Sequence, residues 1–121
     1  MKEKTNKLVN SVKDQAQIFL LDAGEFYPFG CCIDKMNQLK PIGVYLENDN
    51  PSSSELISLL QKSIRAGVEN GLYEIAVVAI DVNINENNID HDAIELRFFE
   101  VSGEYKNYIK YLPHGTHVEF I

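Results

Sequence analysis

The sequence predicts an α+β single domain over residues 1–121, in the order α-β-β-α-β-β-β, with a mainly antiparallel sheet and two helices packed on one face. Three observations carry that reading. YEIAVVAIDVNI, starting at Tyr73, and DAIELRFFEV, ending at Val101, are strand-length runs rich in β-branched and aromatic residues, separated by a loop of Asn and Asp. Leu56, Leu60, Ile64 and Val68 form one apolar stripe at helical spacing. The other connections are short polar turns, which force antiparallel pairing because a parallel connection needs a crossover of about a dozen residues or more.

Each element follows from its residues. From about Lys4 to Phe19, the residues Leu8, Val12, Ala16 and Phe19 recur on one helical face, and the stretch from Asp22 to Pro28, with Gly24 and Pro28, ends that helix. FGCCID, a polar turn at Lys35 to Gln38 and LKPIGVYLE read as a hairpin, with Pro41 marking a late start or an edge position for the second strand. The second helix opens with the capping-box spacing of Ser52 and Glu55 just after Pro51 and closes at Gly71, and Ile57 and Leu59 widen its stripe. The two long strands come next. EYKNYIKYLP then makes a strand after a turn at Ser102-Gly103, and VEFI extends the sheet. This order is similar, as fold analogy only, to profilin-like modules such as longin and roadblock domains, without their closing helix.

At 45% hydrophobic and 24% charged, 121 residues suffice for a real core without a metal or disulfide staple. The net charge is −7, and the lysines are scattered: Lys2, Lys4, Lys7 and Lys13 near the start, Lys106 and Lys110 near the end. Nucleic acid binding needs a concentrated positive face, so no nucleic acid partner is expected. The opening residues are charged, and the longest apolar run, Ile75 to Ile80, is too short to cross a bilayer, so the expectation is a cytoplasmic protein with no membrane association.

Motifs that could carry chemistry have plainer readings. Cys31 and Cys32 are adjacent, point to opposite faces of a strand, and read as small apolar strand residues, not a disulfide or a vicinal metal site. Asp81, Asn83 and Asn85 with Asp92 imitate an EF-hand loop, but Glu86 stands where that loop requires glycine and the flanks read as strands. They read instead as outward alternates of a strand whose Val82 and Ile84 point inward. His114 and His117 in HGTH lack the i, i+4 spacing of a helical metal pair and read as a solvated loop. Glu95 and Asp81 are a pair of carboxylates that neighbouring strands could bring together. No nucleophile elbow, phosphate loop or Cys–His arrangement is present, so no catalytic residue, metal or cofactor is assigned.

Two surfaces remain. If Ile94, Leu96 and Phe98 face the helices, then Glu95, Arg97 and Phe99 face away, beside Tyr105 and Tyr111, as a candidate protein-binding surface on a free sheet face. Its occupant is a protein partner or a second copy of the chain. The EFYPFG loop, with Glu25, Tyr27 and Asp34 as polar groups, is the candidate pocket.

The EFYPFG loop at Glu25 to Gly30, the strand leading to Asp34, the DAI at Asp92 to Ile94 and the closing Leu112-Pro113 resemble a group of small bacterial proteins over almost the whole chain. That group has no established activity. The chain departs from it at Met36-Asn37-Gln38, where the resemblance implies Asp-Gly in the first hairpin. The favoured function is a small acidic, non-catalytic protein-binding module, as an immunity or antitoxin-like partner would be. The alternative is a small-molecule-binding domain or enzyme with its site near EFYPFG. A pocket holding a carboxylate of raised pKa favours the alternative, and a broad acidic or aromatic surface favours the first.

Overall fold

The computed structural model describes residues 2–44 and 51–121. Its elements are α1 (Lys2–Ala23), β1 (Phe29–Asp34), β2 (Leu39–Ile42), α2 (Ser53–Glu69), β3 (Tyr73–Glu86), β4 (Ile89–Glu100), β5 (Gly103–Pro113) and β6 (Val118–Phe120). The strands form a curled antiparallel sheet in the order β2-β1-β3-β4-β5-β6. The α+β class and the element order are as the sequence predicts, with the VEFI tail supplying β6. The expected continuation of β2 through Tyr45, Leu46 and Glu47 lies outside the described residues. No helix among the described residues is long and apolar enough to cross a membrane.

The turns show why the strands run as far as they do. β3 and β4 continue well into the Asn-rich stretch expected to be a loop, and only Asn87 and Asn88 connect them. Both have positive φ (52° and 64°), the two-residue hairpin conformation that matches strand twist and that asparagine tolerates. In the first hairpin Asn37 takes the left-handed position (φ 63°) that the missing glycine would have filled. Asp34 fixes that turn, its Oδ1 accepting from the backbone N–H groups of Met36 and Gln38 at 2.9 Å. α2 begins at Ser52, whose hydroxyl accepts from the Glu55 N–H at 3.1 Å, a cap worth about 1 kcal/mol.

The expectation of two helices on one face is corrected. Cys31, Ile33, Ile75, Val77, Ala79, Ile94, Leu96 and Phe98 pack with Leu8, Val12, Ala16 and Leu20 of α1. Their chain neighbours Cys32, Ala76, Val78, Ile80 and Phe99 pack with Leu60, Ile64 and Val68 of α2. Successive strand residues point to opposite faces, so the helices cover opposite sides of the central strands. The result is three layers. α2 covers the side that α1 leaves open, and the middle strands are apolar on both faces.

The α1 face holds the larger core, with Phe98 fully buried at its centre. Its stripe ends on Leu20 where the sequence suggested Phe19, and Phe19 turns outward. β6 closes this core: the Gln17 side-chain oxygen accepts from the Val118 N–H at 3.0 Å, and Val118 is buried beside Tyr111. Lys4 pairs with Glu74, tying the start of α1 to the start of β3.

Candidate functional site

The predicted sheet surface divides between the two faces. β4 pairs with β5 in the register Glu95↔Tyr108, Arg97↔Lys106 and Phe99↔Glu104, so odd-numbered residues of β4 lie beside even-numbered residues of β5. Glu95, Arg97 and Phe99 face the α2 side, whereas Tyr105 and Tyr111 face the α1 side. Phe99 is only 2% exposed beneath α2, and Tyr111 only 4% exposed in the α1 core. Tyr105 alone among these aromatics is open, 40% exposed and stacked on Phe98 with ring centroids 4.9 Å apart. The grouping of these five as one exposed surface is therefore corrected. The same alternation separates Asp81, paired with Ile94, from Glu95, paired with Ile80, so those carboxylates lie on opposite faces.

Glu95 and Arg97 instead form an internal polar network. Arg97 Nε donates to Glu95 Oε2 at 2.6 Å, Arg97 Nη1 donates to Gln61 Oε1 at 3.0 Å, and the Tyr108 hydroxyl donates to Glu95 Oε1 at 2.9 Å. Burial pushes the Glu95 carboxyl up, but the bonds from Arg97 and Tyr108 outweigh it and hold the carboxyl below its ordinary value. Both Glu95 oxygens are occupied, so the carboxylate ties β4 to β5, and Arg97 carries the network on to Gln61 of α2. Tyr108 is the residue that sequence reasoning missed. The signal was present: in any hairpin joined by two residues, Glu95 must face an even-numbered position on β5.

The predicted pocket is only partly assembled from the expected residues. Glu25 and Tyr27 line an open cleft of about 480 Å³ with Phe19, Asp22, Ala23, Phe26, Pro28, Phe29, Ser53 and Asp81. Asp34 is elsewhere, at the far end of β1, pairing with Lys40 at 3.0 Å and holding its turn. Asp81 takes its place. The cleft exists because α1 stops at Ala23: Gly24, with φ 78°, donates its N–H to the Leu20 carbonyl at 2.9 Å and turns the chain out of the helix. EFYPFG then crosses the end of the sheet. Phe26 is buried and packs edge-on to Phe29 (centroids 5.4 Å apart), Phe19 meets Phe29 from the helix side (5.7 Å), and Tyr27 stands 70% exposed at the mouth.

Asp81 lies at the floor of this cleft. It is half-buried, and Oδ1 accepts a 2.6 Å hydrogen bond from the Tyr111 hydroxyl. It is not the solvated alternate that the sequence suggested. Burial raises its carboxyl above the ordinary value. Bonds from Tyr111 and the Phe26 backbone N–H oppose the rise, and the charges of Asp92 and Glu25 reinforce it. Burial and the neighbouring Asp81 raise the Tyr111 phenol in turn. The charges named as acting on Asp81, those of Asp92 and Glu25, are both negative, and Asp22, Glu25 and Asp81 form no ion pair with a described residue.

The remaining motifs take structural places. Asn83 lies opposite Asp92 within the β3–β4 ladder, so the calcium-like stretch is a hairpin flanked by strands. His114 stacks on His117 at 4.9 Å and bonds to Glu119 at 2.9 Å in the β5–β6 turn. Cys31 and Cys32 are free and buried, on opposite faces, and burial pushes the Cys31 thiol up to about 12. Among the described residues, no group of three or more His, Cys, Asp or Glu is placed to hold a metal ion. No family model matches this chain, and neither a curated protein nor a solved structure matches it.

Proposed function

We propose that this chain is a small-molecule-binding domain whose site is the cleft between the end of α1, the EFYPFG loop and β3. One observation carries the reading. The half-buried Asp81, its carboxyl raised, forms the floor of a concavity walled by Phe19, Phe26, Tyr27 and Phe29. A volume of about 480 Å³, apolar walls and a few convergent polar groups are the general properties of a ligand pocket. A carboxylate perturbed by burial inside a cleft points the same way. The resemblance to the group of small bacterial proteins belongs to this proposal, since the loop that carries it forms the cleft wall. A cytoplasmic location fits the two free thiols.

The test is a fragment screen read by amide chemical shifts. Saturable shifts confined to residues 22–29 and 81 support the reading. Hits scattered over the surface, or confined to another region, refute it.

A second reading has its own observation. Ile18 and Leu21 near the end of α1 and Tyr27 in the EFYPFG loop are exposed, and apolar groups close in sequence to the unpaired acids Asp22 and Glu25 suit stoichiometric contact with a protein partner. This is the acidic binding module that the sequence favours, with its contact moved from the sheet face to the α1 corner. Light scattering at rising concentration separates self-association through that corner from a monomer that leaves it open.

A further inference from the structure

We infer that the cleft takes an organic cation, a primary ammonium or guanidinium group on a short aliphatic stem. The inference rests on the small-molecule reading above and names the class of ligand. Shape comes first: the cleft lining runs from Tyr27, largely exposed, to the half-buried Asp81, so a ligand whose head group meets Asp81 leaves its stem along the aromatic walls. The walls come second. Phe19, Phe26 and Phe29 meet edge to face, and Tyr27 is free at the mouth, so the lining offers an aliphatic stem apolar contact and a cation an aromatic face.

The sign of the field comes third. Asp81 at the floor and Asp22 and Glu25 at the rim are carboxylates without a cationic partner among the described residues. The last turn of α1 reaches the same space with no basic side chain, so the partial negative charge of the helix C-terminus adds to theirs. The opposing contribution is smaller. Ser53 brings the start of α2 to the rim, but that helix end is already capped by Ser52 and carries Glu55 in its first turn. A metal ion suits the lining less well, since these carboxylates do not converge as a ligand set and the walls are aromatic. A diffuse cation with N–H donors satisfies Asp81, tolerates spaced carboxylates and stacks on the rings.

Four probes of similar length decide the matter on the intact chain: putrescine and agmatine, the neutral 1,4-butanediol and the dianion succinate. Amide shifts of residues 22–29 and 81 follow binding. The expected result is saturable shifts with putrescine or agmatine and none with the diol or succinate. Asp81→Asn, which keeps an acceptor for Tyr111, weakens the cation about tenfold, as loss of one charge-assisted contact does. Glu25→Gln, at an exposed loop position, weakens it without touching the core, and Tyr27→Ala weakens it roughly threefold. If the diol, succinate or an uncharged or anionic fragment fills the cleft as well as the amines do, the cation inference is overturned while the site stands. If neither these probes nor a fragment library of mixed charge shifts the cleft amides, both are overturned.

Discussion

The Tyr111 hydroxyl donates to Asp81 Oδ1 at 2.6 Å, joining β5 to β3 over the intervening β4. A core tyrosine thereby positions the carboxylate at the floor of the cleft. Tyr111→Phe keeps the ring among Val118 and its neighbours but removes the donor. The expected cost is about 1–2 kcal/mol. The Asp81 carboxyl rises further, because the phenol bond is what lowers it most. Denaturant unfolding and a carboxyl NMR titration check the two effects. An unchanged titration would show that Tyr111 does not act on Asp81.

Asp81 and Glu95 make opposite contributions to stability as pH changes. The folded Asp81 carboxyl lies above its ordinary value of 3.8, so its contribution is fully present below pH 3.8 and is lost as pH rises through the raised folded value. The folded Glu95 carboxyl lies below 4.5, so its contribution is present above pH 4.5 and is lost as pH falls through the lowered folded value. Asp81→Asn is therefore expected to raise Tm at pH 7, the gain vanishing in acid. Glu95→Gln is expected to cost about 1.5–3 kcal/mol at pH 7, with the deficit shrinking as acid protonates the parent. Melting curves from pH 3 to about 7 check both signs; parallel curves would refute the assignment.

The apolar runs were legible as strands, but their number of buried faces was misread. Ile75 to Ile80 is six consecutive apolar residues, all buried, which is what a strand covered on both sides looks like. A sheet with one free face would alternate, as β3 does beyond Asp81. That run, together with the adjacent Cys31 and Cys32, both buried, already pointed to three layers. The cleft was legible in its loop and not in its floor. Glu25 and Tyr27 are local to EFYPFG, whereas Asp81 joins them only through the β1–β3 register, which pairs Phe29 with Ala79. Sequence spacing does not supply that register.

Burial separates two aromatics that the sequence grouped together. Phe99→Ala opens a cavity beneath α2 and removes the ring under Arg65, whose guanidinium lies 5.5 Å from its centroid. It is expected to cost about 3–5 kcal/mol. Tyr105→Ala removes a surface stack on Phe98 and should cost less, about 1 kcal/mol. Chemical denaturation of both variants checks the order, and a reversed order would contradict the layer assignment.

Gly67 of α2 lies against the Tyr73 ring, where an added β-carbon would stand 2.3 Å from Cε2. Alanine in a helix interior ordinarily gains about 0.5–1 kcal/mol over glycine. Here Gly67→Ala is expected to lose about 1–3 kcal/mol through overpacking. In a Tyr73→Ala background the same change should become stabilising. The sign change in a double-mutant cycle is the measurement, and additive effects would show that the ring moves aside freely.

The contact between Gln17 and Val118 spans 101 positions of the chain. During synthesis α1 emerges early, yet the core that covers Leu8, Val12, Ala16 and Leu20 includes Val118. At translation rates of 5–20 residues per second, the wait is roughly 5–20 seconds. Through that interval a nascent amphipathic helix holds part of its apolar stripe uncovered beside the ribosome. Chaperone capture and aggregation on polysomes compete with folding there, so slowed elongation ahead of β6 would lower the yield of folded protein without changing the stability of the finished molecule.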